Sequence, residues 1–237
     1  MSTVRAACPK PAAQMNATYA DDTVIEWNDF YENGEYERIA YIGEEAMPKL
    51  LRRFFERHGA PESFASIGCG PAAAEFALAP DYPDTAFYGY DISEAVIEDN
   101  ATHAAREGLS NMHFDVASLP NLGIDRRFDV VYCLATLYFV DGVDDSVNAL
   151  YDLVKPGGYL IFNYPNRYTM WTFDAAFEGS RRDLFHRVVD GKNLLSYERI
   201  RHLLDANPKS YWKLMDAEAL PFVGRDTPCV YLRKPEN

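Results

Sequence analysis

The chain reads as an α/β fold on a mostly parallel sheet, and three features of the sequence point to it. From Ser63 onward, short apolar runs alternate with stretches of helical periodicity. A glycine turn, Gly68-Cys69-Gly70-Pro71, follows the first run, and Asp91 closes the second run 21 residues after Gly70. Strands and helices alternating in this way give a parallel sheet covered on both faces. At 237 residues and 48% hydrophobic content, the chain is long enough for one such domain with a full core.

Residues 1–22 are expected to be flexible and 23–237 to form a single domain. Apolar residues at helical spacing predict helices over 23–33 and 35–58, the second ending at Gly59 ahead of Pro61. Together they would cap the domain over 23–59. Strands are then expected at 63–67, 86–90, 112–114, 128–133 and 159–164, with helices at 72–79, 94–107 and 143–153 between them. A further helix is expected at 196–204, and 211–217 with 229–233 read as a closing strand pair. Residues 166–193 interrupt the alternation and read as an insertion over the sheet edge.

The glycine turn has a physical reading residue by residue. Gly68 and Gly70 permit backbone angles and a close ligand approach that a Cβ would block, and Pro71 suits a first helical turn. Amides beyond it offer partial positive charge to an anionic group. A carboxylate at the tip of the next strand, Asp91, can accept hydrogen bonds from both hydroxyls of a ribose. The same residues could do no more than form a tight turn and cap the helix near Ser93. The acid in register with the glycines favours an adenosine-containing ligand. The string G-x-G-x-x-A ending at position 73 is also compatible with a dinucleotide.

Further along, Asp115 ends a third strand, a buried fourth strand runs into the aromatic turn Cys133-Leu134-Ala135-Thr136-Leu137-Tyr138-Phe139, and Pro156-Gly157-Gly158 opens a fifth. In this order and spacing the sequence resembles the class I S-adenosylmethionine-dependent methyltransferases, from about Ser63 to Pro165 and more weakly to Arg233. The resemblance implies a Rossmann-like seven-stranded sheet with an antiparallel last strand. It implies S-adenosylmethionine as cofactor and S-adenosylhomocysteine as product, with Gly68, Cys69 and Gly70 beneath the methionine and ribose. Asp91, with Ile92, would hold the ribose. Asp115, Val116 and Ala117 would meet the adenine amino edge, and Cys133 and Leu134 would line the sulfonium side. Family members often carry an acid where this chain has Ser66, and a glycine where it has Ala72.

Ligands of open α/β sheets lie beyond the carboxyl ends of the strands, so the two extra segments are the expected walls for an acceptor. Trp27, Tyr31, Tyr164, Tyr168 and Trp171, with Tyr138, could line a moderately large, partly apolar pocket. The plainer reading of each ring is that it buries an added helix against the core. Tyr138 and His186 are the best-placed candidates for a base. The turn after the fourth strand lacks the N/D-P-P-Y/F pattern resembling amide and base methylation, and Asn163-Tyr164-Pro165-Asn166 follows the fifth strand instead. An oxygen, nitrogen, sulfur or carbon centre on a small molecule is therefore favoured.

Composition narrows the alternatives. A formal charge of −13, with 7 Lys against 16 Arg, opposes a phosphate backbone, so nucleic acid is disfavoured as a partner. Such acidity is also used by salt-adapted proteins. The four cysteines are scattered, with no CxxC and no His at ligand spacing, so no metal site or disulfide framework is expected. No apolar run approaches the roughly 20 residues of a membrane span, and the first residues lack a signal core, so the chain is expected to be cytoplasmic, with no membrane partner. Three rival readings stand beside methyl transfer. They are a nicotinamide-dependent oxidoreductase, opposed by the absence of a Tyr-x-x-x-Lys pair, a non-catalytic cofactor-binding subunit, and an RNA or protein methyltransferase with a salt-adapted surface.

Overall fold

A computed structural model describes residues 26–32 and 46–236. The helix expected over 23–33 is seen as α1, Trp27–Glu32, and that over 35–58 as α2, Ala46–His58. The segments 1–22 and 33–45, with Cys8, lie outside the described residues. Then follow β1 (Ser63–Ile67), α3 (Ala73–Leu78), β2 (Ala86–Asp91), α4 (Glu94–Glu107), β3 (Met112–Val116) and β4 (Phe128–Cys133). The second half comprises α5 (Val143–Asp152), β5 (Val154–Asn163), α6 (Arg167–Ala176), α7 (Gly179–Leu184), α8 (His186–Val189), α9 (Tyr197–Leu204), β6 (Lys209–Ser210), α10 (Tyr211–Leu214) and β7 (Cys229–Arg233).

The seven strands form one sheet in the order β3-β2-β1-β4-β5-β7-β6. Strands β1 to β5 pair in parallel, while β7 runs antiparallel to both β5 and β6. The chain steps outward from β1 to β3, then returns to the other side of β1 with β4. Such a reversal opens a crevice at the carboxyl ends of β1 and β4. Because side chains alternate along a strand, Phe64 and Ser66 face one layer and Ala65 and Ile67 the other. The first layer buries Phe54, Phe55, Phe87, Tyr132 and Tyr211 beneath α2, α3 and α10; the second buries Val131, Leu150, Leu160, Phe162 and Ile200 beneath α5 and α9.

One expected element is corrected. Residues 211–217 do not form a strand; α10 begins at Tyr211, and the edge strand β6 comprises Lys209 and Ser210 alone. The Ser210 hydroxyl accepts from the Lys213 amide at 3.2 Å and caps the helix. Tyr211 and Trp212 are consecutive and both buried in the same layer, a placement that strand alternation forbids. Strand β5 also starts earlier than expected, taking in Pro156-Gly157-Gly158 with a shift of register against β4 between Phe128 and Val130. Among the described residues, no helix is long and apolar enough to cross a membrane.

The opposite edge of the sheet is closed by Asp129. Its Oδ2 accepts from the Ser63 amide at 2.8 Å and hydroxyl at 2.6 Å, and Lys155 Nζ lies 2.9 Å away, joining β1, β4 and β5. Burial opposes the charge, but these donors outweigh it and hold the carboxyl below its usual range. A depressed carboxyl contributes stability above its unfolded pKa that is lost as pH falls through the folded value. Asp129→Ala is expected to lower unfolding free energy by about 1–3 kcal/mol at neutral pH. Its urea midpoint should also lose part of the wild type's acid dependence, and an unchanged acid limb would refute the role assigned to this carboxylate.

Candidate functional site

The crevice begins where β1 ends. The Gly68 and Cys69 amides both donate to the Tyr90 carbonyl, at 2.8 and 3.0 Å, so the turn is pinned to β2. Gly68, Gly70 and Ala72 adopt φ of +69°, +50° and +51°. A Cβ at Gly68 would lie 2.1 Å from Thr136 Oγ1, so the turn after β4 packs directly on this glycine. Pro71 lies in the turn itself, because the left-handed Ala72 occupies the cap position and the helix starts at Ala73.

Asp91 is 4% exposed, and both carboxylate oxygens accept backbone amides, Oδ2 from Gly70 at 2.9 Å and Oδ1 from Ser93 at 3.0 Å. Burial raises its carboxyl and the amides of Ser93, Gly70 and Ile92 pull it back down. It therefore both holds Ser93, the residue that caps α4, and shapes the glycine turn. Each oxygen keeps a second lone pair for hydroxyl donors. Asn100, on the buried stripe of α4 with Val96 and Ala104, donates to the Gly70 carbonyl at 2.7 Å. It holds the turn from the far side.

Next to Asp91, Val116 is its register partner on β3. Ile92 and Val116 are 47% and 44% exposed, an apolar pair at the open edge that suits one face of a flat ring. Asp115 Oδ1 accepts from the Val116 amide at 2.8 Å, and the Ala117 amide donates to the Asp91 carbonyl at 2.9 Å. Across the crevice, Cys133 is buried, and burial raises its thiol to about 12. It is a neutral wall rather than a nucleophile. Leu134 is partly buried against the first layer of the core. The following turn is held by Asn163 at the end of β5, whose Oδ1 accepts from the Ala135 amide at 2.8 Å.

The two extra segments meet above this edge. Helix α1 is tied to α4 by Asn28, whose Oδ1 accepts from the Ser93 hydroxyl at 2.7 Å. Trp27 stands edge-on to Phe139 at 5.0 Å and packs against Phe30 and Tyr31. Phe139 contacts Phe185 at 5.0 Å, and Phe185 contacts Phe173 at 4.9 Å, so one chain of rings joins α1 to α6.

Tyr138 and Tyr164 lie buried, the first against Phe173 and Phe185, the second against Phe162. Burial raises both phenols, Tyr164 to about 12. Tyr168 and Trp171 project from α6 as an exposed edge-on pair, 5.6 Å apart. His186 Nδ1 lies 2.8 Å from the Asp183 carbonyl. A carbonyl only accepts, so Nδ1 carries the proton and Nε2 is left as the acceptor. Asn28, Asn100, Phe139 and Asn163 are the residues that sequence reasoning missed. Of these, Asn100 had a signal, a polar residue at the i+4 step between Val96 and Ala104 on an apolar stripe.

Among the described residues, no group of His, Cys, Asp and Glu could hold a metal ion. A family model described as a methyltransferase domain matches residues 63–213. Trans-aconitate 2-methyltransferase from Streptomyces coelicolor is 29% identical over 149 residues, covering 62% of this chain and 48% of that protein. Malonyl-(acyl-carrier protein) O-methyltransferase from Bacillus cereus is 21% identical over 172 residues, covering 71% and 63%. The matches thus span from about half to somewhat under two thirds of the length of these relatives. An S-adenosylmethionine-dependent methyltransferase from Clostridium acetobutylicum shares the fold with a TM-score of 0.62 at 14% identity, over 89% of this chain and 99% of that one.

The packing of Thr136 on Gly68 makes the turn intolerant of a side chain. Gly68→Ala combines a left-handed φ with a direct clash and is expected to destabilise the protein by about 2 kcal/mol in urea unfolding. Gly108→Ala, where a Cβ meets nothing within 4 Å, carries the φ strain alone and is the control. Equal losses for the two would disprove the close packing at Gly68.

Proposed function

Because the chain belongs to the class I S-adenosylmethionine-dependent methyltransferases, we propose that it transfers a methyl group from S-adenosylmethionine to a small organic acceptor, releasing S-adenosylhomocysteine. The observation that carries this reading is the glycine turn tied to the buried Asp91 at the reversal between β1 and β4. The residues present suit the cofactor. At Gly70 the turn presents no side chain to its sulfur-bearing arm, while Gly68 is bare because Thr136 packs on it, and Asp91 retains lone pairs for the ribose hydroxyls. Ile92 and Val116 offer an apolar face to adenine, and Asp115, the Val116 backbone and Ala117 stand at its amino edge. Ser66 and Cys69 border the methionine end, and Cys133 and Leu134 the sulfonium side.

The cofactor supplies a methyl group on a built-in leaving group, so alignment and desolvation of the acceptor provide most of the catalysis. The protein's part is to hold the acceptor in line and keep water away. Trp27 and Tyr31 on α1, with Tyr138, Tyr164, Tyr168 and Trp171, form the acceptor wall in this reading. Tyr138, kept protonated by burial, acts as a hydrogen-bonding group, whereas His186 offers Nε2 to an acceptor that arrives protonated. By their names, one relative acts on trans-aconitate, which supports a small acceptor, and another is an O-methyltransferase of malonyl-(acyl-carrier protein), which supports an oxygen nucleophile. The charge of −13 speaks against a nucleic acid.

Calorimetric titration tests the cofactor. Wild type should bind S-adenosylmethionine and S-adenosylhomocysteine and ignore NAD, and Asp91→Asn should weaken both by about 100-fold. Preference for NAD would sink the proposal. Transfer of a labelled methyl group to a panel of small carboxylic acids and phenols, with total tRNA at high salt as the contrasting substrate, tests the acceptor class. Labelling confined to tRNA would overturn the small-molecule reading while leaving the cofactor in place.

A further inference from the structure

Resting on the cofactor reading above, we infer that Glu75, on the first turn of α3, is the anionic partner of the ammonium group of S-adenosylmethionine. The residue sits in the run Ala72-Ala73-Ala74-Glu75-Phe76-Ala77-Leu78, where a charge has no place in an ordinary buried helix face. It is 4% exposed. Against burial, its charge is favoured by the Ser66 hydroxyl at the end of β1 and by its own backbone amide. No Lys, Arg or His among the described residues forms an ion pair with it. A carboxylate in such a place is costly to keep ionised without a cation, and burial accordingly raises its carboxyl.

The surroundings place this carboxylate under the glycine turn. Cys69 feels the charge of Asp91 and of Glu75, so the turn runs between two buried acids, one on β2 and one on α3. They are not equivalent. Asp91 accepts the amides of two other residues, Gly70 and Ser93, whereas Glu75 is favoured by one hydroxyl and its own amide. An independent observation comes from β4. Tyr132 is the register partner of Ser66, is 4% exposed, and has a buried hydroxyl without a hydrogen-bond partner. Burial raises its phenol, and the neighbouring Tyr211 phenol and then the Glu75 carboxylate add to that rise. A buried acceptor pair of this kind, an anion and an unsatisfied hydroxyl beside Ser66, asks for a cation with several donors. An ammonium group has three. The turn beside it is where the cofactor's amino-acid end is proposed to lie.

The inference separates the two ends of the ligand, and so does its test. S-adenosylhomocysteine carries the ammonium, and 5′-methylthioadenosine has the same adenosine and sulfur without it. Both are titrated into wild type and Glu75→Gln, which keeps the size and the hydrogen bond to Ser66 while removing the charge. Glu75→Gln should bind S-adenosylhomocysteine about 10- to 100-fold more weakly and 5′-methylthioadenosine within about twofold of wild type. The retained nucleoside binding also certifies that the variant is folded.

A second variant, Ser66→Asp with Glu75→Ala, returns the charge from the strand side and should recover much of the lost affinity. Unchanged S-adenosylhomocysteine binding in Glu75→Gln would overturn the inference, identifying Glu75 as a neutral acid. Equal loss of both ligands would also overturn it, assigning Glu75 to support of the turn. If wild type binds neither ligand, the cofactor reading itself falls and takes this inference with it.

Discussion

A single buried carboxylate organises the carboxyl edge of this sheet. Asp91 gathers the amides of Gly70 and Ser93, so one side chain fixes the glycine turn after β1 and the first turn of α4. In a parallel sheet the strand ends carry unpaired backbone groups that must find partners. Here an anion accepts them, and the desolvation it suffers is offset by charge-assisted hydrogen bonds that are stronger than neutral ones. Loss of this carboxylate would release two loops at once. The Asn100 bond to Gly70 and the Tyr90 carbonyl, which takes two amides, hold the same turn from other sides. The turn is thus restrained by three residues on two elements, Tyr90 and Asp91 on β2 and Asn100 on α4.

The sheet divides its labour between its two ends. At the amino end, Asp129 joins three strands through Ser63 and Lys155, a partly exposed arrangement that serves cohesion. At the carboxyl end of β2, Asp91 is buried and its partners are backbone amides. Opposite charges packed at both ends would have made the site rigid but left no lone pairs for a ligand. The arrangement seen keeps acceptor capacity where the strands stop, which is where ligands of this sheet architecture lie.

Much of this was legible beforehand, because the signals were local. Alternating apolar runs gave the strands their order, and the helix at 94–107 was bounded by Ser93 as a cap and Gly108 in the left-handed conformation, both readable residue types. Residues 211–217 misled because the aromatic pair at their start favours strands, while the decisive fact, that Tyr211 and Trp212 share one core layer, is tertiary. Pro156-Gly157-Gly158 read as the lead into a strand at 159–164, yet β5 already runs through them, with a shift of register against β4 between Phe128 and Val130. The left-handed Ala72 carried no signal at all, since alanine rarely takes that conformation. Phe139 was invisible for a different reason. Its importance lies in touching Trp27 and Phe185, which come from segments far apart in the chain.

Helix α1 has six residues, fewer than an isolated helix needs to persist in water. Its stability is therefore borrowed from its docking, through Asn28 on Ser93 and Trp27 on Phe139. A short helix that depends on docking opens locally at lower free energy than the sheet beneath it. The roof over the crevice and the ledge below it consequently belong to different cooperative units. Local opening of the first leaves the second folded.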